Sequence, residues 1–550
     1  MASMGNYRCE ITGQSFQISP LEQELRQKLG APPPRVLPKF TFRQLMAFWP
    51  HWSLHKRKCD RTGKSLISIF GPDCPYPVWN REDWIQFANP PSVSVDLSRP
   101  FFPQLWELFQ RCPIPHNLGI GNENCEYTDD WWYSKNCYLC HSGVHCEDCE
   151  YCYRIFGLRD SAFSVFSFHS ELCFELVNSS NCFSVISAIN CKNCHDSAFL
   201  FDCRNVSHCL LCWNLRNAKF CIRNVQLTEE EYLKERSRLK LTSRSEYNRL
   251  VNEFESIIST KAYWKAADVE HCVDSFGNFL EHCKNCENGY FFSDAEDSVN
   301  IVRGKDFRDC LDCVGPFLVE RSYLSAVAQD RCYDVVCSAV ITTCRSVDYC
   351  FHCYKCEDCF GCCGLVGKRF CVFNREYPER EYRELVARLK QKIAHDGDAG
   401  RFFPGHFAPN PYEESLAGFH FPLASEEISA LGFRPTNYSR RKPEGIRELA
   451  EIPDSSRDVP LSLCDQVYWD ERELRPFQIS KSYLKFAQKS DVPLPDGFYT
   501  CRLKQLFRWL PFNGELRHVR CVQSGEEVFT TLPPNFDPLI VSRKAYESML

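Results

Sequence analysis

The stretch "NCYLCHSGVHCEDCEYC" (Asn136 to Cys152) sets its cysteines at 137, 140, 146, 149 and 152. Each gap is three or six residues. Outward from it the pattern holds: fourteen cysteines lie between Cys125 and Cys221, and every gap between neighbours is a multiple of three. A helix repeats every 3.6 residues and a strand every two, so neither carries a strict three-residue lattice. Very short strands joined by corners do carry it. In that arrangement Cys, Ser, Val and Phe point inward, and polar pairs such as "ED", "KN", "RN" and "SH" turn the corners. A coarser step of twelve also shows: Cys137, Cys149, Ser161 and Cys173 share a phase that Ser197, Cys209 and Cys221 continue. Ser in a Cys slot points to a small packed side chain, since a metal ligand would not accept the exchange. The spacing leaves a coil of twelve and a coil of twenty-four residues both open.

A second tract, Cys272 to Cys371, holds fifteen cysteines. Six of them repeat the first tract at an offset of 150: Cys182/Cys332, Cys194/Cys344, Cys203/Cys353, Cys209/Cys359, Cys212/Cys362 and Cys221/Cys371. "LRNAKFCIRNVQLTEEEY" (from Leu215) aligns with "LVGKRFCVFNREYPEREY" (from Leu365). The centre is an internal duplication. Cys283, Cys286, Cys310, Cys313 and Cys337 stand in another triplet phase, which implies insertions between turns, and Cys363 breaks the phase alone. Each tract runs into a helix, the first opened by the Thr228/Glu231 capping box and the second by Pro378. A helix there would cover the open end of a sheet. The helical pattern continues through "SEYNRLVNEFESII" and bridges the two tracts.

The flanks are duplicated as well. "FQISPLEQEL" (from Phe16) matches "FQISKSYLKF" (from Phe477), and "FRQLMAFWP" (from Phe42) matches "LKQLFRWLP" (from Leu503). Three knuckle-like turns read Cys9-x-x-Thr12-Gly13, Cys59-x-x-Thr62-Gly63 and Cys521-x-x-Ser524-Gly525. A structural zinc site needs four ligands. Thr or Ser replaces the second cysteine of the knuckle each time, and Cys74, Cys464 and Cys501 do not clearly complete a set. The expected fold is therefore mainly β: two tandem helix-capped parallel β-solenoids of cysteine-rich triplet repeats between two small α+β zinc-ribbon-like modules. The expected boundaries are 1–115 for the N-terminal module, 116–226 for the first solenoid, 227–268 for the helical bridge, 269–376 for the second solenoid, 377–460 for a helical cap, strap and linker, and 461–550 for the C-terminal module.

The chain has 550 residues, 14% aromatic content and a net charge of -6, values of a folded protein and not of a whole-chain nucleic-acid binder. Its start has no apolar run of signal-peptide length, and no run of eighteen apolar residues occurs. A cytoplasmic protein with reduced thiols and no membrane association is expected.

The residues resemble a family of cysteine-rich repeat proteins encoded by very small uncultured bacteria. The resemblance rests on the "C-x-x-[CT]-G" modules with "EQEL", the "KRKC" knuckle, the run "GCCGL" to "KRFCVFNREY", and the strap "FFPGHFAPNPYEESLAGFHFPL". The module at Cys9 also resembles a zinc-ribbon family with both knuckle cysteines. The tracts are similar in texture to the β-helix of tubulin-binding cofactor C. None of these implies an activity.

Chemistry-bearing patterns are few. Cys350, Cys353, Cys356, Cys359 and Cys362 keep a constant gap of three, unlike a ferredoxin run. No C-x-x-C opens a helix, where a redox thiol would sit. His141, His145, His195, His208, His271, His282 and His352 recur inside the repeats as corner residues. The expected function is a non-enzymatic scaffold presenting solenoid surfaces to a partner protein, with no cofactor and with zinc as a lesser alternative. The alternative function is nucleic-acid or ribosome binding through Lys56, Arg57, Lys58 and Arg61, which cluster near Phe48, Trp49 and Trp52.

Overall fold

A computed structural model describes residues 6–293, 310–315, 319–324, 326, 328–329, 332–333, 337–511 and 516–549. Its largest sheet has thirteen strands between Gly119–Ile120 and Val225–Gln226, parallel except for the last. Every pairing in the parallel part has an offset of twelve: His141 with Tyr153, Tyr153 with Val165, His195 with Ser207, Ser207 with Lys219. Isolated bridges such as Lys135 with Glu147 and Tyr138 with Glu150 keep the same offset. The chain therefore stacks twelve-residue rungs.

Within a rung the residues play three roles in rotation. Every third one, from Asn124 through Asn136, Asp148 and Asp160 to Asn217, has φ near +50°. This left-handed conformation turns a corner and costs free energy for residues other than Gly, least for Asn and Asp, which fill many corners. The next residue points inward and the third lies flat and faces out. The flat residue's N–H bonds the carbonyl eleven residues ahead (Glu147 to Leu158, 3.0 Å), and the corner N–H bonds the carbonyl thirteen residues behind (Asp148 to Lys135, 3.1 Å).

The inward residue's N–H points into the stack instead, where the side chain one rung earlier receives it. Cys146 N–H donates to Ser134 Oγ (3.0 Å), Cys152 to Cys140 Sγ (3.5 Å), Cys173 to Ser161 Oγ (3.2 Å) and Cys209 to Ser197 Oγ (3.0 Å). The thiols also donate: Cys140 Sγ approaches Tyr138 O and Cys149 O, both at 3.4 Å. Cys and Ser recur because each is small, donates once and accepts. Rung by rung the two exchange: Ser161, Ser164, Ser167 and Ser170 fill one rung, and Cys350, Cys353, Cys356 and Cys359 fill another, all buried.

The second tract forms the same kind of stack. Val347 pairs with Cys359 and Cys359 with Cys371, again twelve apart. Earlier pairings have offsets of eleven (Val269 with Leu280) and thirteen (Val319 with Cys332), which accounts for the change of triplet phase. Where the pairings are described, the insertions expected between turns take the form of these one-residue changes in rung length. Cys363 faces outward, buried against the N-terminal part of the chain, with its N–H on Asn374 Oδ1 at 2.9 Å. Of the seven histidines expected at corners, His145, His208, His271, His282 and His352 have positive φ; His141 and His195 instead occupy flat outward positions.

Each stack closes alike. A final antiparallel strand (Cys221 with Gln226; Cys371 with Glu376) ends the parallel edge. A helix follows, Glu229–Ser237 or Glu379–His395, whose Tyr232 or Tyr382 packs on Phe220 or Phe370. The long helix Arg244–Thr260 buries Tyr247 against Phe174 and Phe199 of the first stack.

The flanking modules dock crosswise. The N-terminal one packs on the second stack: Phe48, Tyr76 and Phe109 surround Phe351 at 6.2, 5.2 and 5.9 Å between ring centroids, and Phe101 meets Phe373 at 5.8 Å. The C-terminal one packs on the first stack, with Tyr483 on Tyr151 (5.4 Å) and Phe507 on Phe166 (5.9 Å). Phe48 and Trp509 are equivalent in the aligned modules, and Phe351 follows Phe201 by 150 residues. Trp264 bridges Phe201 to Trp509, at 4.4 and 5.9 Å, so the docking repeats with its partners exchanged. The strap inserts Phe402, Phe403 and Phe407 among Phe48, Tyr349 and Phe109.

Substitution at Cys152 tests the role of the inward thiols. Cys152→Ser keeps the acceptor for Ser164 N–H and is expected to cost little. Cys152→Val fills similar space without an acceptor and is expected to cost about 1–3 kcal/mol by leaving a buried donor unpaired. Equal denaturation midpoints for the Ser and Val variants would refute the assignment.

Candidate functional site

Because rungs repeat every twelve residues, side chains twelve apart form a column. One outward column of the first stack reads Val144, Phe156, Phe168, Ser180, Lys192, Arg204, with the corner column His145, Gly157, His169, Asn181 beside it. The start of the second stack faces these columns with Asp268, Glu270, Phe279, Leu280, Glu281 and Phe291. Between them lies a cleft of about 600 Å³.

The cleft is apolar at one end. Phe156 and Phe168 are half-buried with centroids 5.8 Å apart. Phe279 and Phe291 stack at 4.7 Å on the other side, and Phe291 reaches Phe166 at 4.8 Å. The Arg154 guanidinium lies over Phe166 and donates to Phe291 O at 3.5 Å. Gly157 has φ +61°, and a Cβ there would stand 2.9 Å from His169 Nδ1, so this corner leaves room for the imidazole.

The other end is ionic. Lys192 Nζ bonds Glu270 (2.7 Å) and Glu281 (3.1 Å), and Arg204 bonds Glu270 (2.9 Å). Lys265 bonds Asp268 at 2.6 Å, and Asn178 donates to the same carboxylate at 3.1 Å. Burial opposes ionisation of Glu270, but Lys265, Lys192 and Arg204 outweigh it and hold the carboxyl well below its usual range. Ser179 Oγ at the cleft is already used, donating to Val177 O and accepting from Cys191 N–H. The acidic groups at this end are paired and the Ser179 hydroxyl is engaged in the backbone of the stack. His141 and His352, both driven to about 3 by burial, stay neutral inside the protein.

The basic cluster expected to bind nucleic acid is divided. Arg57 bonds Gly71 O and Asp60, and Arg61 pairs with Asp83 at 3.0 Å while lying over Phe87. Lys56 and Lys58 are exposed, whereas Phe48, Trp49 and Trp52 are buried in the core and present no ring to a base.

The knuckle turns share one geometry. At Cys9, Cys59 and Cys521 the Gly N–H four residues on bonds the Cys carbonyl at 2.8–2.9 Å. The Sγ of Cys59 and of Cys521 also accepts a backbone N–H from the residue that caps a later helix, Asn80 and Ser542, and the amide of Leu37, which caps Pro38–Met46, acts likewise to lower the Cys9 thiol. Burial raises the Cys521 thiol, but the Ser524 hydroxyl and the amides of Ser542, Ser524 and Gln523 bring it down to about 7. A fourth knuckle, missed in the sequence, sits at Asp470. Its carboxylate accepts from Phe498, the cap of Tyr499–Phe507. From first residue to cap the spacings are 28 then 21 residues in both modules. "YWDERELRPFQIS" could have revealed it, since it aligns with "YRCEITGQSFQIS" through the shared "FQIS". Here Arg472 chelates Asp470 (2.7 and 3.0 Å), Lys504 bonds Glu473 (2.6 Å), and Cys501 Sγ lies 3.5 Å from Asp470 Oδ2. Cys464 lies elsewhere, on Ser480 O at 3.6 Å.

No family model matches the chain, and no curated protein matches it significantly. Among the described residues no helix is long and apolar enough to cross a membrane.

The ionic end carries a pH signature. Because the folded-state pKa of Glu270 is depressed, its stabilisation is present above the unfolded value of about 4.3 and is lost as pH falls below it. Glu270→Gln is expected to cost about 1–3 kcal/mol at neutral pH, between exposed and fully buried pairs, and to flatten the acid limb of a plot of urea midpoint against pH. Parallel acid limbs for variant and parent would contradict the assignment.

Proposed function

We propose that the chain is a non-enzymatic scaffold. Its twelve-residue rungs are read as two helix-capped β-solenoids, its flanks as modules of zinc-ribbon shape whose knuckles pack without metal, and its role as holding a partner protein. The observation that carries this reading is the aromatic column Phe156–Phe168, left half-exposed in a cleft whose charges are already paired. A partner segment entering there would bury these rings, and such desolvated aromatic anchors supply most of the affinity at protein interfaces. Long solenoid faces suit that task. The alternative, nucleic-acid binding at the first knuckle, has only Lys56 and Lys58 free of structural roles.

The test places a photo-crosslinking residue at Phe168 and, as a control, at exposed Leu233 on the capping helix. Protein adducts are expected from position 168 alone and are expected to vanish with Phe156→Asp. The same adducts from both positions, or adducts removed by nuclease, would count against a partner-protein cleft.

A further inference from the structure

The first stack opens on an unfinished rung. Gly119–Ile120 is the last strand on its side of the sheet, and Glu123, Asn124, Glu126 and Tyr127 beyond it are exposed. In later rungs the corner N–H reaches the carbonyl thirteen residues back, as from Asn136 to Glu123 (3.0 Å) and from Leu139 to Glu126 (3.1 Å). The corners of the first rung, Asn124 and Tyr127, have no earlier rung to reach. The carbonyls of Asn122 and Cys125 likewise lack the flat-residue N–H that Ser134 O and Cys137 O receive from Glu123 and Glu126 (both 2.9 Å). Among the described residues neither those two amides nor those two carbonyls has a partner. The far ends of both stacks carry a hairpin and a helix, and the near end of the second is touched by Arg543, which donates to Val269 O at 3.0 Å.

Side chains specify what would fit. The flat column beginning at this edge reads Glu123, Lys135, Glu147, Arg159, Glu171, each bridged to the next. Charge alternates at every step, with Lys135 3.6 Å from Glu123 and Arg159 3.8 Å from Glu147. Beside it the corner ladder runs Asn124 Nδ2 to Asn136 Oδ1 (2.9 Å) and Asn136 Nδ2 to Asp148 Oδ1 (3.0 Å), which leaves Asn124 Oδ1 facing outward as an acceptor.

We propose that this edge is a docking site for one more rung, an extended segment of another protein that places Lys or Arg on Glu123 and a hydrogen-bond donor such as Asn on Asn124. Main-chain bonds to the open amides and carbonyls supply affinity, and the charge column supplies register. A second copy of the same edge fits poorly, since it would set Glu123 against Glu123.

The chain itself provides a probe. Within the stack, "YSKNCYLCHSGV" (Tyr133 to Val144) rests on the rung of Glu147, so a peptide copying it with Ser for Cys carries the complement that the rung of Glu123 lacks. Fluorescence anisotropy of the labelled peptide with the full chain is expected to show saturable, salt-weakened binding. Glu123→Lys is expected to weaken it about fivefold, the effect of reversing one cross-strand charge pair, and a peptide carrying Glu in place of its Lys is expected to restore it. No binding at about 1 mM peptide, where even a weak contact registers, would overturn the proposal, as would affinity indifferent to both charge changes.

Discussion

The amide of each inward residue points into the stack, and a sulfur or hydroxyl one rung earlier receives it. The rest of the architecture depends on that contact. With a left-handed residue every third position, only the flat and corner amides reach a neighbouring rung's backbone; the inward amide is buried with nothing else to bond. An unpaired buried donor is costly, so the lumen selects for side chains that accept a hydrogen bond in little space. Thiol and hydroxyl meet both demands. Where Val185, Ala188 or Leu200 stands instead, that acceptor is absent, and the stack is carried by the rungs on either side.

Corners pose the opposite problem. Phe, Tyr, His and Leu adopt positive φ here as well as Asn and Asp, at a conformational cost. Many of the bulky ones are covered, although Tyr127 and Tyr133 stand exposed. Tyr151, Phe163 and Phe166 lie beneath the C-terminal module, and Phe199 beneath the long helix, so burial of their rings offsets the strain. Polar corners prevail where solvent is reached, and there Asn ladders such as Asn193–Asn205–Asn217 tie successive rungs.

Much of this was legible in the residues. The three-residue lattice, the 150-residue duplication, the closing helices and three of the knuckles can be read directly from spacing. Rung length could not, because Ser161, Val185 and Ser197 interrupt the cysteine column that would mark it. Corner geometry was hidden because Phe163 and Leu211 carry no sign of a left-handed backbone. Asp470 and Leu474 disguise the fourth knuckle by replacing its Cys and Gly. The cleft follows from the period of twelve, which sets Phe156 over Phe168 and Phe279 against Phe291. Until that number is known, these are four unrelated phenylalanines.

The crossed docking of the modules has a consequence for how the chain matures during synthesis. Glu175 waits for Arg502, and His141 for Tyr499, more than three hundred residues later. Such contacts are slow to form because a long loop must close first. On a ribosome the first stack leaves the exit tunnel without the C-terminal cover of Tyr151, Phe163 and Phe166, and gains it only when the last module emerges. A chain stopped before that module would expose Tyr151, Phe163 and Phe166 together, and would be sticky in a way that the finished protein is not.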